Sequence, residues 1–337
     1  MDILIKSFNR PYYLDRCIKS IQLFVDYTSF NIIILDDGTP ELYLEKLKQK
    51  YPFITIFYSK SAKEKQALIK AQKPIFKTEI PIDLWIEIAN ISTDYFLLLE
   101  DDFWFTKKVD LAEFKVAMHD KQIKMIKLFW LGNSKLLAGH SEKLNEFISF
   151  FLPKVTTLNP FIYKAIFKWY KFKYRKILSF FSIYSDKKAL QYYSIYAVAG
   201  AIFEKTYFLS LWKNHQNTVD ESLQIRNALN FISNNKSAKF GNSTKELLKT
   251  GFMSSASNQH KPYKDVNLDV FNLNYILNEA WYNNNFDPMR NFPNDLDENE
   301  IEFLLTANPH PNTQSSEWKK WVKMFKNQYT SFGCIID

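Results

Sequence analysis

Apolar positions in the first hundred residues change period repeatedly, and the changes mark out elements. Ile3 to Ser7 is a short continuous apolar run of the kind a buried strand presents. Tyr12 to Phe24 then spaces Leu14, Cys17, Ile18, Ile21 and Phe24 at helical intervals. Asn31 to Leu35 is a second apolar run ending in Asp36-Asp37-Gly38, Glu41 to Lys50 a charged helix, and Phe53 to Tyr58 a third strand. Ser61 to Lys77 reads as Lys-rich and irregular, Ile80 to Ile91 as a helix, and Tyr95 to Leu99 as a strand running into Glu100-Asp101-Asp102. Strands separated by helices at this spacing predict an α/β fold, a mostly parallel sheet with helices on both faces. Ligands of such sheets bind beyond the carboxyl ends of the strands. The polar clusters Ser7 to Arg10, Asp36 to Gly38 and Glu100 to Asp102 all fall at those ends, so one site can use all three.

Further along, Lys124 to Leu131 and Ser194 to Phe203 read as strands, and Lys205 to Lys213 and Asp220 to Phe231 as helices. Ser233 to Lys264 reads as a polar loop. The Asn/Asp-rich remainder carries two helical patches, Glu298 to Leu305 and Ser316 to Gln328. No internal repeat is visible.

Composition narrows the function. Of 337 residues 46% are hydrophobic and 17% aromatic, which excludes intrinsic disorder. The seven glycines include no G-x-G, so a Rossmann or Walker phosphate loop is absent. Two cysteines, Cys17 and Cys334, are too few for a disulfide framework or a Cys-rich zinc site, and a reducing compartment fits that count. Met1-Asp-Ile-Leu-Ile-Lys reads as a strand rather than a signal peptide, and no apolar run reaches the roughly 18 to 20 residues a bilayer span needs. These features predict a cytoplasmic protein. Between Phe147 and Ala189 nine Lys and Arg face one acid, Asp186, which equals the net +8 of the whole chain. The remainder is neutral, which argues against a general nucleic-acid binder.

Three adjacent acids directly after a buried strand are costly unless a cation balances them. Oxygen-only ligands at a strand end suit Mg²⁺ or Mn²⁺, which bind through one or two carboxylates plus substrate phosphates. The alternative is a solvated acidic turn, disfavoured by the strand before it and by Phe103, Trp104 and Phe105 after it.

In this order, Ile5-Lys-Ser-Phe-Asn-Arg-Pro-Tyr-Tyr-Leu14, Ile32-Ile-Ile-Leu-Asp-Asp-Gly-Thr39 and Tyr95-Phe-Leu-Leu-Leu-Glu-Asp-Asp102 resemble a family-2-type glycosyltransferase of GT-A fold. The resemblance covers roughly the first 105 residues. Less closely, Ala199-Gly200-Ala201-Ile202-Phe203 is similar to the family's strand beside the acceptor site, and Asp220 to Arg226 to its acidic helix. The resemblance implies a Rossmann-like GT-A domain over 1–260, with a donor-binding part at 1–105. An acceptor part would follow at 106–260, carrying a basic aromatic insertion at about 148–189. A helical and irregular extension, 261–337, would end in a basic amphipathic helix.

The roles implied are these. Ser7, Asn9, Arg10, Asp36, Asp37 and Asp101 would bind a nucleotide-sugar; Asp102, with Glu100, would hold Mn²⁺ or Mg²⁺ on its diphosphate. Asp220 would be the general base for inverting transfer to a hydroxyl of a saccharide or lipid-linked acceptor. Val219 stands where the family has a Glu, which leaves Glu221 as the competitor for that role. His260, in a Ser/Asn-rich loop, is the candidate third metal ligand, with an ordinary exposed loop His as the alternative. The family's Asn-x-Gly element is replaced by a Lys-rich stretch, so Lys60, Lys63 or Lys65 stand as phosphate contacts or as a solvated loop.

Two segments mix aromatic and basic residues: Phe161 to Leu178, and Ser316 to Gln328 with Trp318, Trp321, Val322 and Phe325 on one stripe. They read as peripheral membrane contacts at the inner face, which suits bacterial enzymes that build surface polysaccharide or glycolipid on lipid-linked acceptors. Core-packed helices and single-stranded nucleic acid are the alternatives. For the whole chain the rivals are a nucleotidyltransferase of related fold, whose Gly-rich basic loop is missing, and a catalytically silent binding protein.

Overall fold

The computed structural model of the chain describes residues 1–73, 75, 79–168, 172–256, 263 and 265–336. It begins with β1 (Asp2–Ser7), α1 (Pro11–Phe24), β2 (Asn31–Asp36), α2 (Glu41–Lys50), β3 (Ile54–Tyr58), α3 (Ala62–Lys70), α4 (Ile82–Ile91), β4 (Tyr95–Glu100) and β5 (Phe103–Phe105). There follow α5 (Leu111–Lys121), β6 (Ile123–Lys127), β7 (Glu142–Lys143), β8 (Ile148–Phe151), α6 (Pro160–Tyr163), α7 (Phe172–Phe180), α8 (Asp186–Leu190), β9 (Ala201–Glu204), α9 (Lys205–Leu211) and α10 (Glu221–Asn234). The chain closes with β10 (Lys239–Ser243), β11 (Leu248–Thr250), α11 (Val270–Tyr282), α12 (Glu298–Ala307) and α13 (Ser315–Thr330). This is an α/β fold.

The chain divides into two compact units. A terminal unit holds Ile3–Leu84, Leu99–Val109 and Leu248–Asp337; a central unit holds Met1–Asp2, Trp85–Leu98 and Asp110–Leu247. Residues of β4 fall to both.

In the terminal unit the strands run in the order β3-β2-β1. β2 and β3 pair in parallel from Ile32↔Ile54 to Asp36↔Tyr58. Helix α1 is buried along most of its length, from Pro11 to Ile21. Its two buried charged members are both bonded to the C-terminal segment of the same unit: Arg16 donates to the carbonyls of Pro288 and Asn294, and Asp15 accepts from Trp281 Nε1 at 2.8 Å. β11 pairs antiparallel with β5, from Leu248↔Phe105 to Thr250↔Phe103.

In the central unit the order is β4-β9-β6-β10-β8-β7. β9 runs antiparallel to both β4 and β6, and β10 is parallel to β6. An aromatic core of Phe96, Phe203 and Phe208 lies under these strands, with Phe96 and Phe208 edge to face at 5.1 Å.

Several stretches differ from the sequence reading. Residues 62–70, expected to be irregular, form α3, because Ala62, Lys65 and Ile69 share one buried stripe while its other lysines face solvent. The expected polar loop at 233–264 contains β10 and β11: Phe240, Gly241 and Asn242 are buried between β6 and β8, so neighbours rather than propensity make the strand. The strand expected from Ser194 starts only at Ala201; Gln191–Ile195 is a 3₁₀ turn and Gly200 has a φ of 69°. α11 was not anticipated, since Asn residues interrupt its apolar positions Leu273, Leu277 and Trp281.

The basic C-terminal helix also differs. Trp318 and Trp321 are 1% and 2% exposed, and Trp318 Nε1 donates to the Met253 carbonyl at 2.9 Å. Its tryptophans therefore pack into the terminal unit and are not offered to a membrane.

Candidate active site at the strand ends

Backbone hydrogen bonds align the carboxyl ends of the terminal unit's strands. Asp37 N donates to the Ser7 carbonyl, Ser59 N to that of Asp36 and Asp101 N to that of Lys6, each at 2.9 Å. The three polar clusters picked out in the sequence are thus brought to one rim. Asn9 takes a φ of +52°, which Asn tolerates better than most residues, and the turn leads into α1 with Arg10 at its N-cap. Thr39 Oγ1 accepts from Asn9 N at 2.9 Å, and Asn278 Nδ2 of α11 donates to the Asn9 carbonyl and Oδ1 at 3.2 and 3.0 Å.

Arg10 is buried against the acids. One guanidinium nitrogen pairs with Asp101, and Nη1 lies 3.0 Å from Asp102 Oδ2. Phe8 N also donates to Asp101, at 3.3 Å. Lys6 Nζ meets Glu100 Oε1 at 2.8 Å. Two cations therefore face three acids, and the cluster carries a residual negative charge.

Burial is the largest influence on the Asp102 carboxyl, and with the charges of Asp101 and Glu100 it outweighs Arg10, pushing Asp102 up to about 7. Asp101 is raised by burial too, against the pull of Arg10. At Glu100 burial is outweighed by the Lys6 ammonium, and the carboxyl sits below its ordinary value.

Asp36 closes the turn after β2. Its Oδ1 accepts from Gly38 N and Thr39 N, both at 2.8 Å, so the side chain holds its own backbone bend. Gly38 has a φ of +119°, and a Cβ there would stand 2.6 Å from Lys65 Cβ; no other residue fits. Burial lifts the Asp36 carboxyl to about 7 despite those two amides. Asp37 is likewise raised by burial, although Lys65 Nζ sits 2.6 Å from its Oδ2. Lys65, one of the lysines read as phosphate contacts or as a solvated loop, is 4% exposed, and its ammonium is given to Asp37 and to the Glu79 carbonyl at 3.2 Å. Lys60 is exposed.

Four buried oxygens on this rim have no hydrogen-bond partner: Ser7 Oγ, Asp36 Oδ2, Asp37 Oδ1 and Asp102 Oδ1. Buried polar atoms are rarely left so, and such atoms at strand ends mark a place where a ligand completes the bonding. The donor set fits a hard divalent cation: an unpartnered oxygen on Asp102 beside a residual negative charge, the kind of ligand such an ion combines with phosphate and water. Among the described residues no three His, Cys, Asp or Glu side chains gather into a metal cage. His260, the candidate third ligand, lies outside the described residues.

Asp220 and Glu221 belong to the central unit. Asp220 is the N-cap of α10: its Oδ1 accepts from Ser222 N at 2.9 Å and Leu223 N at 3.1 Å. Glu221 Oε2 accepts from Tyr193 Oη at 2.6 Å, and the Tyr193 carbonyl accepts from Lys127 Nζ, also at 2.6 Å. The two neighbouring acids are thus differently employed, one by its helix and the other by a tyrosine.

The sequence reading did not single out Lys6, the Lys65–Asp37 pair or Asn278. Lys6 had a signal, a cation one position before Ser7 at a strand end. Asn278 had none, being one asparagine among many.

No protein-family model matches the chain, and no curated protein matches it. Among solved structures it is similar to Staphylococcus aureus TarS 1–349 in complex with UDP-GlcNAc, at 10% identity and a TM-score of 0.42, covering 98% of this chain and 72% of that one. It is similar to Mycobacterium tuberculosis glucosyl-3-phosphoglycerate synthase in complex with Mg²⁺ and UDP, at 10% identity and a TM-score of 0.41, covering 83% and 78%. With the same synthase bound to Mn²⁺, UDP and phosphoglyceric acid, the likeness has 11% identity and a TM-score of 0.37, covering 70% of this chain and 65% of that one. At such identities the residue roles rest on this chain's own geometry.

Proposed function

We propose that the protein is a metal-dependent, inverting glycosyltransferase of GT-A type that moves a sugar from a nucleoside-diphosphate sugar to a hydroxyl group. Its acceptor is a saccharide or a lipid-linked glycan, and its product a surface polysaccharide or glycolipid made at the cytoplasmic face of a membrane. The observation that carries the reading is the rim at the strand ends. Ser7, Asn9, Arg10, Asp36, Asp37, Glu100, Asp101 and Asp102 converge there, with Glu100, Asp101 and Asp102 outnumbering Lys6 and Arg10 by one and the Asp102 Oδ1 unpartnered.

Each group has a task under this reading. Ser7 Oγ donates to or accepts from the base and ribose of the donor, and the carboxylates of Asp36 and Asp37 accept hydrogen bonds from them. Arg10 holds Asp101 and Asp102 in one orientation and leaves the buried Asp102 Oδ1 without a protein partner. Asp102, with Glu100 behind it, would hold Mn²⁺ or Mg²⁺ on the diphosphate. When bound, the ion neutralises the charge that develops on the leaving nucleoside diphosphate. Asp220 of the central unit takes the proton from the acceptor hydroxyl as it attacks the anomeric carbon, and Glu221 is the alternative for that proton.

The test is turnover with a panel of nucleoside-diphosphate sugars and Mn²⁺, read as release of the nucleoside diphosphate. Metal-dependent release from one or more donors supports the reading. Absence of release from every donor, together with formation of a nucleotide-sugar from sugar 1-phosphate and a nucleoside triphosphate, would replace it with nucleotidyl transfer.

A further inference from the structure

We propose that the outward face of α7, with the turn that follows it, docks on the surface of a bilayer containing anionic lipid. This goes beyond the catalytic reading and rests on separate residues. The inner side of this region is packed: Leu178 is buried, and Phe167 is buried against Tyr184 and Tyr192, at 5.8 and 5.0 Å between ring centres. The outer side is not. Ile177, Phe180 and Phe181 fall at helical i, i+3, i+4 spacing and are 55%, 83% and 65% exposed, the two phenylalanines edge to face at 5.3 Å. Single exposed apolar side chains are ordinary, but a group of large ones on one face marks an interaction surface.

Charge selects the occupant. No Asp or Glu occurs between residues 147 and 185, while Lys154, Lys164, Lys168 and Arg175 all lie in that stretch. An apolar face flanked by cations and without acids is complementary to anionic headgroups over acyl chains. Two copies of this face would bring like charges together, and the aliphatic Ile177 beside the two rings suits acyl chains better than stacked bases. No helix among the described residues is long and apolar enough to cross a membrane, so the contact lies on the surface. α13 buries Trp318 and Trp321, whereas Ile177, Phe180 and Phe181 of the α7 region are exposed.

The experiment is cosedimentation of the full chain with phosphatidylcholine vesicles, with and without phosphatidylglycerol, at low and high salt. The parent should bind only the anionic vesicles, less at high salt, and Phe180→Ser/Phe181→Ser should reduce the partition coefficient about tenfold or more. A second variant, Phe180→Trp, keeps an aromatic ring there; its added fluorescence should be quenched by brominated lipid in anionic vesicles. Failure of the parent to bind, equal binding by the double variant, or no quenching of the new tryptophan would overturn the proposal. So would preferential binding of single-stranded RNA, or a dimer that the double variant abolishes. Nucleoside diphosphate release with a soluble acceptor should be unchanged in the double variant, which separates failure of this surface from failure of the transferase reading.

Discussion

Arg10 Nη1 lies 3.0 Å from Asp102 Oδ2, while the other oxygen of that carboxylate, Oδ1, is buried and without a partner. One half of the group is fixed by Arg10 and the other half has no protein partner. The same guanidinium also holds Asp101, so Arg10 is the main counter-charge of the rim.

Replacing Arg10 with Met should therefore expose the cost of the acid cluster. Removing one partner of a buried pair costs about 3–5 kcal/mol, because the remaining charges stay buried and unpaired. In Arg10→Met the thermal midpoint should drop sharply in EDTA and recover in part with added Mn²⁺. A loss of stability that Mn²⁺ leaves unchanged would show that the acids do not receive a cation.

The raised carboxyls give a pH dependence with a defined sign. Asp36 and Asp102 stand at about 7 in the folded chain against an ordinary 3.8. Between these values the folded state binds more protons than the unfolded one, so stability contributed by these groups is full below about 4 and is lost as pH rises through about 7. Asp36→Asn keeps the oxygen that accepts from Gly38 and Thr39 but removes the charge. Without nucleotide or metal, its denaturation midpoint should fall less than the parent's between pH 4 and pH 7. Equal slopes would show that Asp36 ionises normally.

The catalytic base is decided by isosteric substitutions. Asp220→Asn should lower turnover about 10²–10⁴-fold while leaving donor affinity unchanged, since a general base acts on the acceptor proton. Its Oδ1 can still cap α10, so stability should change little. If Glu221→Gln is instead the inactive variant and Asp220→Asn is active, the base is the acid held by Tyr193.

Trp318 tests the place of the C-terminal helix. It is 1% exposed with its indole N–H satisfied, so Trp318→Ala should cost about 3–5 kcal/mol in denaturant unfolding. An unchanged midpoint would mean that α13 is not part of the terminal unit's core.

The strands that end in Ser7, Asp36 and Glu100 were legible because buried parallel strands are short apolar runs and their polar ends stand out against them. What escaped was structure made by contacts distant in sequence. α3 was hidden by lysines, though the stripe of Ala62, Lys65 and Ile69 is helical. β10 reads Lys-Phe-Gly-Asn-Ser, and only its neighbours β6 and β8 make it a strand. Lys65 looked like a solvent-facing lysine; its burial depends on Asp37, 28 positions earlier in the chain. The basic charge read from the sequence divides in the same way, into lysines spent on acids and an α7 face left uncovered.

The proposed function requires Asp102 to tie a divalent ion to a nucleoside diphosphate. Calorimetric titration of UDP and GDP into the chain, with Mn²⁺ and with EDTA, tests it most directly. One nucleotide should bind with Mn²⁺ and bind at least about 100-fold more weakly in EDTA, and Asp102→Asn should bind equally weakly in both. Undiminished, Mn²⁺-dependent binding by Asp102→Asn would contradict the account.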